Sequence, residues 1–360
     1  MSGTVSPGSG PVPEIADPGV DAQSVRVSAA ASAAGLSAPA AGRGSRPNLA
    51  WRIGARLLGA LAVLFAVVTL TYFALKLVPG DPVLAILGGG GAAPSDATVA
   101  AVRAQYGLDL PVYQQYFNYL AGVFRGDLGT SYIFKRPVLE YLGPQIWPTL
   151  QLTLASVALA WLISLALTLL TVRRGRVADA IGNAVEVLFA AIPPFWIGII
   201  LLVVFSFTLG WFPVAGNADL RALVLPALAL AIPLAGFLAQ VTRSSFAEAL
   251  DQPFVLSARA RGASTTGVRI RHALRHALLP GLELSGWAVG SLISGAVVAE
   301  VIFSRQGLGR ALVDAIVARD TPVVLAVVVF IALVYVVVNI LVELLVRVVD
   351  PRLIRKRAAA

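Results

Sequence analysis

Six apolar runs, at about 55–78, 147–172, 182–210, 222–242, 283–303 and 321–346, are set apart by short polar stretches. About 20 helical residues at 1.5 Å each cover roughly 30 Å of hydrocarbon, so each run predicts one membrane-crossing helix. The fifth is the tightest fit, because only residues 284–299 lie between Glu283 and Glu300, which places those carboxylates near opposite interfaces. Residues 1–50 are mostly Ala, Gly, Pro and Ser, with no aromatic before Trp51, and predict a disordered tail. The segment 79–146 is the longest ordered stretch between spans. It opens on a PGDP turn at Pro79–Pro82; Ser95 or Asp96 can cap a helix that stops at Gly107, and Pro111 can begin a second, VYQQYFNYLAGVF. The aromatics of that second helix recur at helical spacing. Either the helix lies on the bilayer or it forms a docking surface for an external partner, and the two are compatible.

Composition agrees with an all-α membrane protein of six transmembrane helices. Hydrophobic residues make up 58% of the 360 and charged residues 13%, about half the charged share of a soluble domain. A net charge of +9 could point to nucleic acid, but the basic residues sit between apolar runs and not along one polar face. No nucleic-acid partner is therefore expected. Most of the 28 basic residues fall on one side: Arg26, Arg43, Arg46, Arg52 and Arg56; Arg173, Arg174 and Arg176; Arg243, Arg259, Arg261, Arg269, Arg271 and Arg275; and Arg347, Arg352, Arg355, Lys356 and Arg357. By the positive-inside rule that side is cytoplasmic, and six crossings put both termini there. The chain has no cysteine, which removes disulfides and thiolate chemistry. Residues 1–50 lack the compact apolar core of a secretory signal. The expected organisation is a tail at 1–50, a transmembrane domain at 51–353 and a basic tail at 354–360.

The loop at 244–282, between spans four and five, is long for a connector and has its own pattern, FVLSARARGASTTGVRIRHALRHALLP from Phe254 to Pro280. Ser257–Arg261 predicts a short helix stopped by Gly262, after which Ser264, Thr265 or Thr266 caps a longer helix leading into Pro280. A helix across the end of a bundle can act as a lever between a partner and the spans.

This loop resembles that of the permease subunits of ATP-binding-cassette importers, through Ala258, Gly262, Leu279 and Pro280. SARARG followed by RHALRHALLP is similar to the dipeptide and oligopeptide branch. So, in family order, are LVPGDPV at 77–83, RGDLGTSY at 125–132, IPPFWIG at 192–198, GWFPVAG at 210–216, AEVIFSRQGLGRALVDAIVARDTPVV at 299–324 and VDPRL at 349–353. The resemblance covers about 51–353. It departs from the family at Gln306, where Pro is usual, at Gln252-Pro253-Phe254, which replaces an acidic residue and Tyr, and in the tail, to which it assigns no role.

The resemblance implies a type I importer bundle in a bacterial inner membrane, moving di- or oligopeptides, or nickel chelates, glutathione or oligosaccharides. It implies a coupling helix of Ser257, Ala258, Arg259, Ala260, Arg261 and Gly262 that inserts into a separate ATPase. The implied partners are a second permease subunit, two cytoplasmic ATPases, an external substrate-binding protein and membrane lipid. ATP and Mg would be held by the ATPases and no cofactor by this chain: a phosphate-cradling loop needs Gly-Lys, and Lys76, Lys135 and Lys356 follow Leu, Phe and Arg.

Other candidates have plainer readings beside the functional ones. The loop arginines can orient the chain or bind anionic lipid. His272 and His276 stand four apart as in zinc proteases, but Ala273 replaces the catalytic Glu and no metal site is expected. Glu186, Glu300 and Glu343 lie near span ends, which favours hydrogen bonding between helices over proton relay. Pro193, Pro194, Pro226 and Pro233 are expected to interrupt the third and fourth helices, either for packing or to line a pathway. An ion-coupled carrier would want ionisable groups at mid-membrane, and an intramembrane protease would want them within a span.

Overall fold

The computed structural model describes residues 49–87 and 94–349. Residues 1–48 of the predicted 1–50 tail, the tail at 354–360 and VDPRL beyond Val349 lie outside the described residues, while Leu49 and Ala50, expected in the tail, begin the first helix. The chain divides into units of residues 1–51 and 52–360, and the architecture below belongs to the second.

All regular structure among the described residues is helical, apart from an isolated bridge between Thr130 and Pro137. Helix α1 is Leu49–Leu77, followed by short helices α2 (Pro82–Ile86), α3 (Asp96–Gln105) and α4 (Val112–Arg125). The second span, α5, is Val138–Thr171. Next come α6 (Arg176–Ala191) and α7 (Pro194–Thr208), then α8 (Arg221–Leu250). Helix α9 is Pro253–Ala260, α10 is Thr265–Ile302, α11 is Leu308–Val317 and α12 is Thr321–Val349. Five helices are long and apolar enough to cross a membrane, and α6 with α7, bent by 97°, makes a sixth where the pair is one span. The last turns of α8 meet the end of α5, where Arg243 donates to Thr171, and α4 precedes the start of α5, so α9 and α4 lie at opposite ends of the bundle, called here the α9 end and the α4 end.

The predicted starts and stops hold where local chemistry decides them. Ser95 caps α3, accepting from Thr98 N–H at 3.2 Å, and Gly107 follows with φ +63°. Gly126 closes α4 in the left-handed region, and Asp127 N–H donates to Gly122 C=O at 2.9 Å. Ser264 caps α10 by accepting from Gly267 N–H at 3.1 Å.

The proline expectation needs correcting. Pro193 and Pro194 do break the third crossing, because two adjacent residues lack N–H donors and Ile192 before them is pushed to an extended conformation (φ −82°, ψ 127°). Pro226 and Pro233, by contrast, sit inside an unbroken α8. Pro226 cannot donate to the Ala222 carbonyl one turn back, and the Arg305 guanidinium donates there instead at 3.5 Å. The fifth crossing also begins earlier than its apolar run, because α10 continues through Pro280 from Thr265 and takes one wider π turn at Val268–Ala273.

Helix α8 is the centre of the bundle: 61% of its apolar window is buried, against 11% for α1. Its small residues Ala227, Ala231 and Ala235 line the main core against Leu152 and Ala160 of α5 and Ala288, Leu292 and Ala296 of α10. Lipid tails are as apolar as leucine, so it is such close backbone approach that holds spans together. Gly236 shows how close: a Cβ there would lie 2.5 Å from Ala190 N and 2.6 Å from Glu186 O.

Candidate functional site

The loop between spans four and five is a folded structure and not a loose connector. Pro253 is the first residue of α9, where its missing N–H costs nothing, so the Gln252-Pro253-Phe254 departure starts the helix four residues before Ser257. Val255 and Ala258 face inward against Val268, with Phe254 and Ala263 beside them. Gly262 then turns the chain at φ +84°, and Ala263 N–H closes the turn on Ala258 C=O at 3.1 Å. Of the six predicted coupling residues, Ser257, Arg259, Ala260, Arg261 and Gly262 are exposed and only Ala258 is buried.

Two residues that the sequence reading did not single out complete this surface. Leu256 projects outward, 74% exposed; its place opposite Val255 and Ala258 on a short helix was the available signal. Arg269, one of the loop arginines expected to orient the chain or bind anionic lipid, is 4% exposed. Its guanidinium donates to the carbonyls of Leu169 and Val172, both at 2.9 Å, and lies 5.0 Å from the Phe246 ring. Those carbonyls are among the unpaired groups that end α5, so a cation there also complements the helix dipole. The signal was present: Arg269 heads a row of small residues, Ala273, Ala277 and Gly281, that face the core. His276 packs its ring against Phe254 at 4.9 Å.

Beside this loop lies a charge cluster. The Arg243 Nε donates to both Glu186 oxygens at 2.8 and 3.0 Å, its Nη1 to Asp179 at 3.0 Å and its Nη2 to Thr171 Oγ1 at 2.5 Å. Three helices, α5, α6 and α8, meet on one guanidinium. The close contact at Gly236 brings α8 within reach of Glu186, and Gly182 leaves the space that Arg243 and Thr171 fill. Arg173 pairs with Asp251 at 2.6 Å nearby. Glu186 therefore bonds between helices, as expected of it.

At the α4 end motifs far apart in the sequence come into contact. Glu300, fully buried, accepts from Thr149 Oγ1 at 2.6 Å and from Arg310 N–H at 3.1 Å, and so caps α11. Leu308 N–H donates to Thr149 Oγ1 at 2.8 Å. Side chains at Gly307 or Gly309 would collide, since a Cβ at 307 falls 2.2 Å from Glu300 Oε1 and one at 309 falls 2.4 Å from Val297 Cα. Asp320 accepts from Ser131 Oγ and from the backbone N–H of Tyr132 (3.1 Å) and Ile133 (3.3 Å), which joins RGDLGTSY to ARDTP. Burial and then the Asp320 carboxylate push the Tyr132 phenol upward in pKa. Gln306 keeps the backbone N–H that a proline would lack, and it donates to Asn217 Oδ1 at 3.1 Å.

No group of three or more His, Cys, Asp or Glu that could hold a metal occurs among the described residues. A bundle of long apolar helices with carboxylates tied between them defines an all-α polytopic membrane protein.

Residues 161–355 match the family model "Binding-protein-dependent transport system inner membrane component", and residues 52–150 match that of its N-terminal part. The chain belongs to this family, the permease subunits of ATP-binding-cassette importers. Among its relatives, the glutathione transport system permease protein GsiC of Salmonella typhimurium (strain LT2) is 38% identical over 298 residues, 82% of this chain and 96% of its own. A putative peptide transport system permease protein of Brucella abortus (strain 2308) is 37% identical over 306 residues, with the same coverage. A solved methionine ABC transporter, MetNI in inward-facing conformations, matches 58% of this chain and 96% of its own at 19% identity and a TM-score of 0.49. Membership makes the chain a membrane transport component, of a family that works with ATPase subunits and a binding protein.

Proposed function

We propose that this chain is one permease half of an importer for small peptides, a class that includes di- and oligopeptides and glutathione. The supporting observation is similarity to glutathione and peptide permeases along nearly their whole length, 96% of each relative. In this reading the α9 end is cytoplasmic, with both termini on that side, because the loop arginines cluster there. A second permease subunit completes the pathway, two ATPase subunits bind ATP and Mg, and an external binding protein delivers the solute.

The coupling surface is Ser257, Ala258, Arg259, Ala260, Arg261 and Gly262. Five of these face solvent for a partner, and Ala258 seats the helix on Val268. Arg269 then links that seat to the end of α5. A bulky residue at Ala258 would disturb the seat as well as the partner contact, so Gly262 is the cleaner test. Gly262→Val forces a β-branched residue to φ +84°, a local strain of about 1–2 kcal/mol that leaves the spans alone. The expected outcome is normal membrane insertion with uptake uncoupled from ATP hydrolysis; uptake at the parent rate would sink the role. The solute class is tested by isolating the associated binding protein and identifying its ligand by mass spectrometry. A sugar with no peptide would overturn the peptide reading alone.

A further inference from the structure

Helix α4 presents three distinct faces. Tyr116 and Tyr119 point inward, packed on Tyr72 of α1 and Leu325 of α12. Tyr113, Phe117 and Phe124, at i, i+4 and i+11, form one stripe, and they are 60%, 61% and 77% exposed. Gln114, Asn118 and Arg125, each one residue on, make a parallel polar stripe that is also exposed.

The contacts with α1 set the depth of this helix. Lys76, one residue before the end of α1, donates to Gln115 Oε1 at 2.7 Å. The Tyr116 hydroxyl reaches Thr69 at 2.7 Å, seven residues back, or about 10 Å along the helix axis. Thus α4 lies alongside the last turns of α1 and does not project beyond them. The aromatic stripe is also continuous with the lipid-facing side of that span. Phe73, 44% exposed on α1, has its ring 5.4 Å from Tyr116, which in turn lies 5.4 Å from Phe117.

We infer that α4 is an interfacial membrane anchor, with Tyr113, Phe117 and Phe124 inserted into the lipid of the leaflet opposite the coupling loop. Gln114, Asn118 and Arg125 face water and headgroups. An aromatic stripe bordered by a polar one is the pattern that stays at the boundary of headgroups and acyl chains. The anchor holds residues 94–137 down on the bilayer, so a partner at this end meets the polar ridge. The inference rests on α1 crossing the membrane, and not on which solute is carried.

The chain's lack of cysteine makes the test direct. Single variants Tyr113→Cys, Phe117→Cys, Phe124→Cys, Gln114→Cys, Asn118→Cys and Arg125→Cys of the full chain are labelled with bimane. They are reconstituted in vesicles of phosphatidylethanolamine and phosphatidylglycerol. Labels at 113, 117 and 124 are expected to be blue-shifted and quenched several-fold more by brominated lipid than by aqueous iodide; labels at 114, 118 and 125 should show the reverse. Iodide quenching of both stripes alike would overturn the anchor in favour of a water-exposed surface. Quenching of the aromatic stripe by neither agent would overturn it in favour of a protein partner, such as a second copy of this chain. If any one variant fails to insert, the other two of its stripe still decide the outcome.

Discussion

The two ends of the bundle hold their buried carboxylates by different means. At the α9 end the buried Glu186 meets the side chain of Arg243, which the partly exposed Asp179 shares, and the exposed Asp251 meets that of Arg173. At the α4 end Glu300 and Asp320 meet backbone N–H groups and hydroxyls, in sites so tight that Gly307 and Gly309 admit no side chain. A backbone donor has one position, whereas a guanidinium on a four-bond stem has several. Under the proposed coupling role, this difference would make the α4 end a frame and the α9 end a joint. Joints belong where a partner's motion has to enter.

The sharpest way to break this comparison is to remove the joint itself. Arg243→Ala strands a fully buried Glu186 carboxylate and is expected to cost about 3–5 kcal/mol, read as a large fall in the unfolding temperature of the detergent-solubilised chain. If the variant melts with the parent, the three-helix cluster is not what holds this end. Next comes the frame. Glu300→Gln keeps the shape but turns one charged acceptor into an amide, with an expected loss of about 1.5–3 kcal/mol and easier proteolysis between α10 and α11. Unchanged proteolysis would mean that α11 needs no cap from Glu300.

Much of the frame was legible before the structure, for a physical reason. Apolar runs, capping serines and left-handed glycines act within one turn of chain, so the six crossings, Ser95, Ser264, Gly107 and Gly262 could be read directly. What pairs across the bundle could not. Nothing near Pro226 in sequence announces that Arg305, from beyond the next span, will cover the carbonyl it leaves unbonded. The Pro193-Pro194 pair breaks its crossing into a 97° bend by local means, whereas the single Pro226 sits in an unbroken helix with its freed carbonyl covered from elsewhere in the bundle. The coupling loop lies between these cases: its helix, stop and cap were readable, while the inward turn of Ala258 and the burial of Arg269 depended on packing.

A smaller effect distinguishes the link from its anchors. Arg269→Gln leaves the Leu169 and Val172 carbonyls with a shorter, neutral donor, for an expected loss of about 1 kcal/mol. The more telling readout is functional. If Arg269 carries motion into α5, the variant assembled with its partners should hydrolyse ATP at near the parent rate while uptake falls several-fold. A parallel fall in both would reduce Arg269 to a structural pin.

The smallest expected change in stability belongs to Leu256, and there stability and function should separate completely. Its side chain is 74% exposed, so Leu256→Ser removes almost no packing and should move stability by no more than about 0.5 kcal/mol. An exposed leucine one turn before Arg259, on a helix whose other face is already seated, would add apolar area to the proposed partner contact at about 25 cal/mol per Å2. Loss of that area should weaken co-purification of the ATPase subunits and lower coupled uptake, with the melting curve unchanged. The solvent-facing Arg271→Gln serves as the control, because it leaves α9 untouched. If Leu256→Ser and Arg271→Gln give the same uptake and the same ATPase recovery, α9 is not the joint's input. The contrast between the two ends would then describe stability alone.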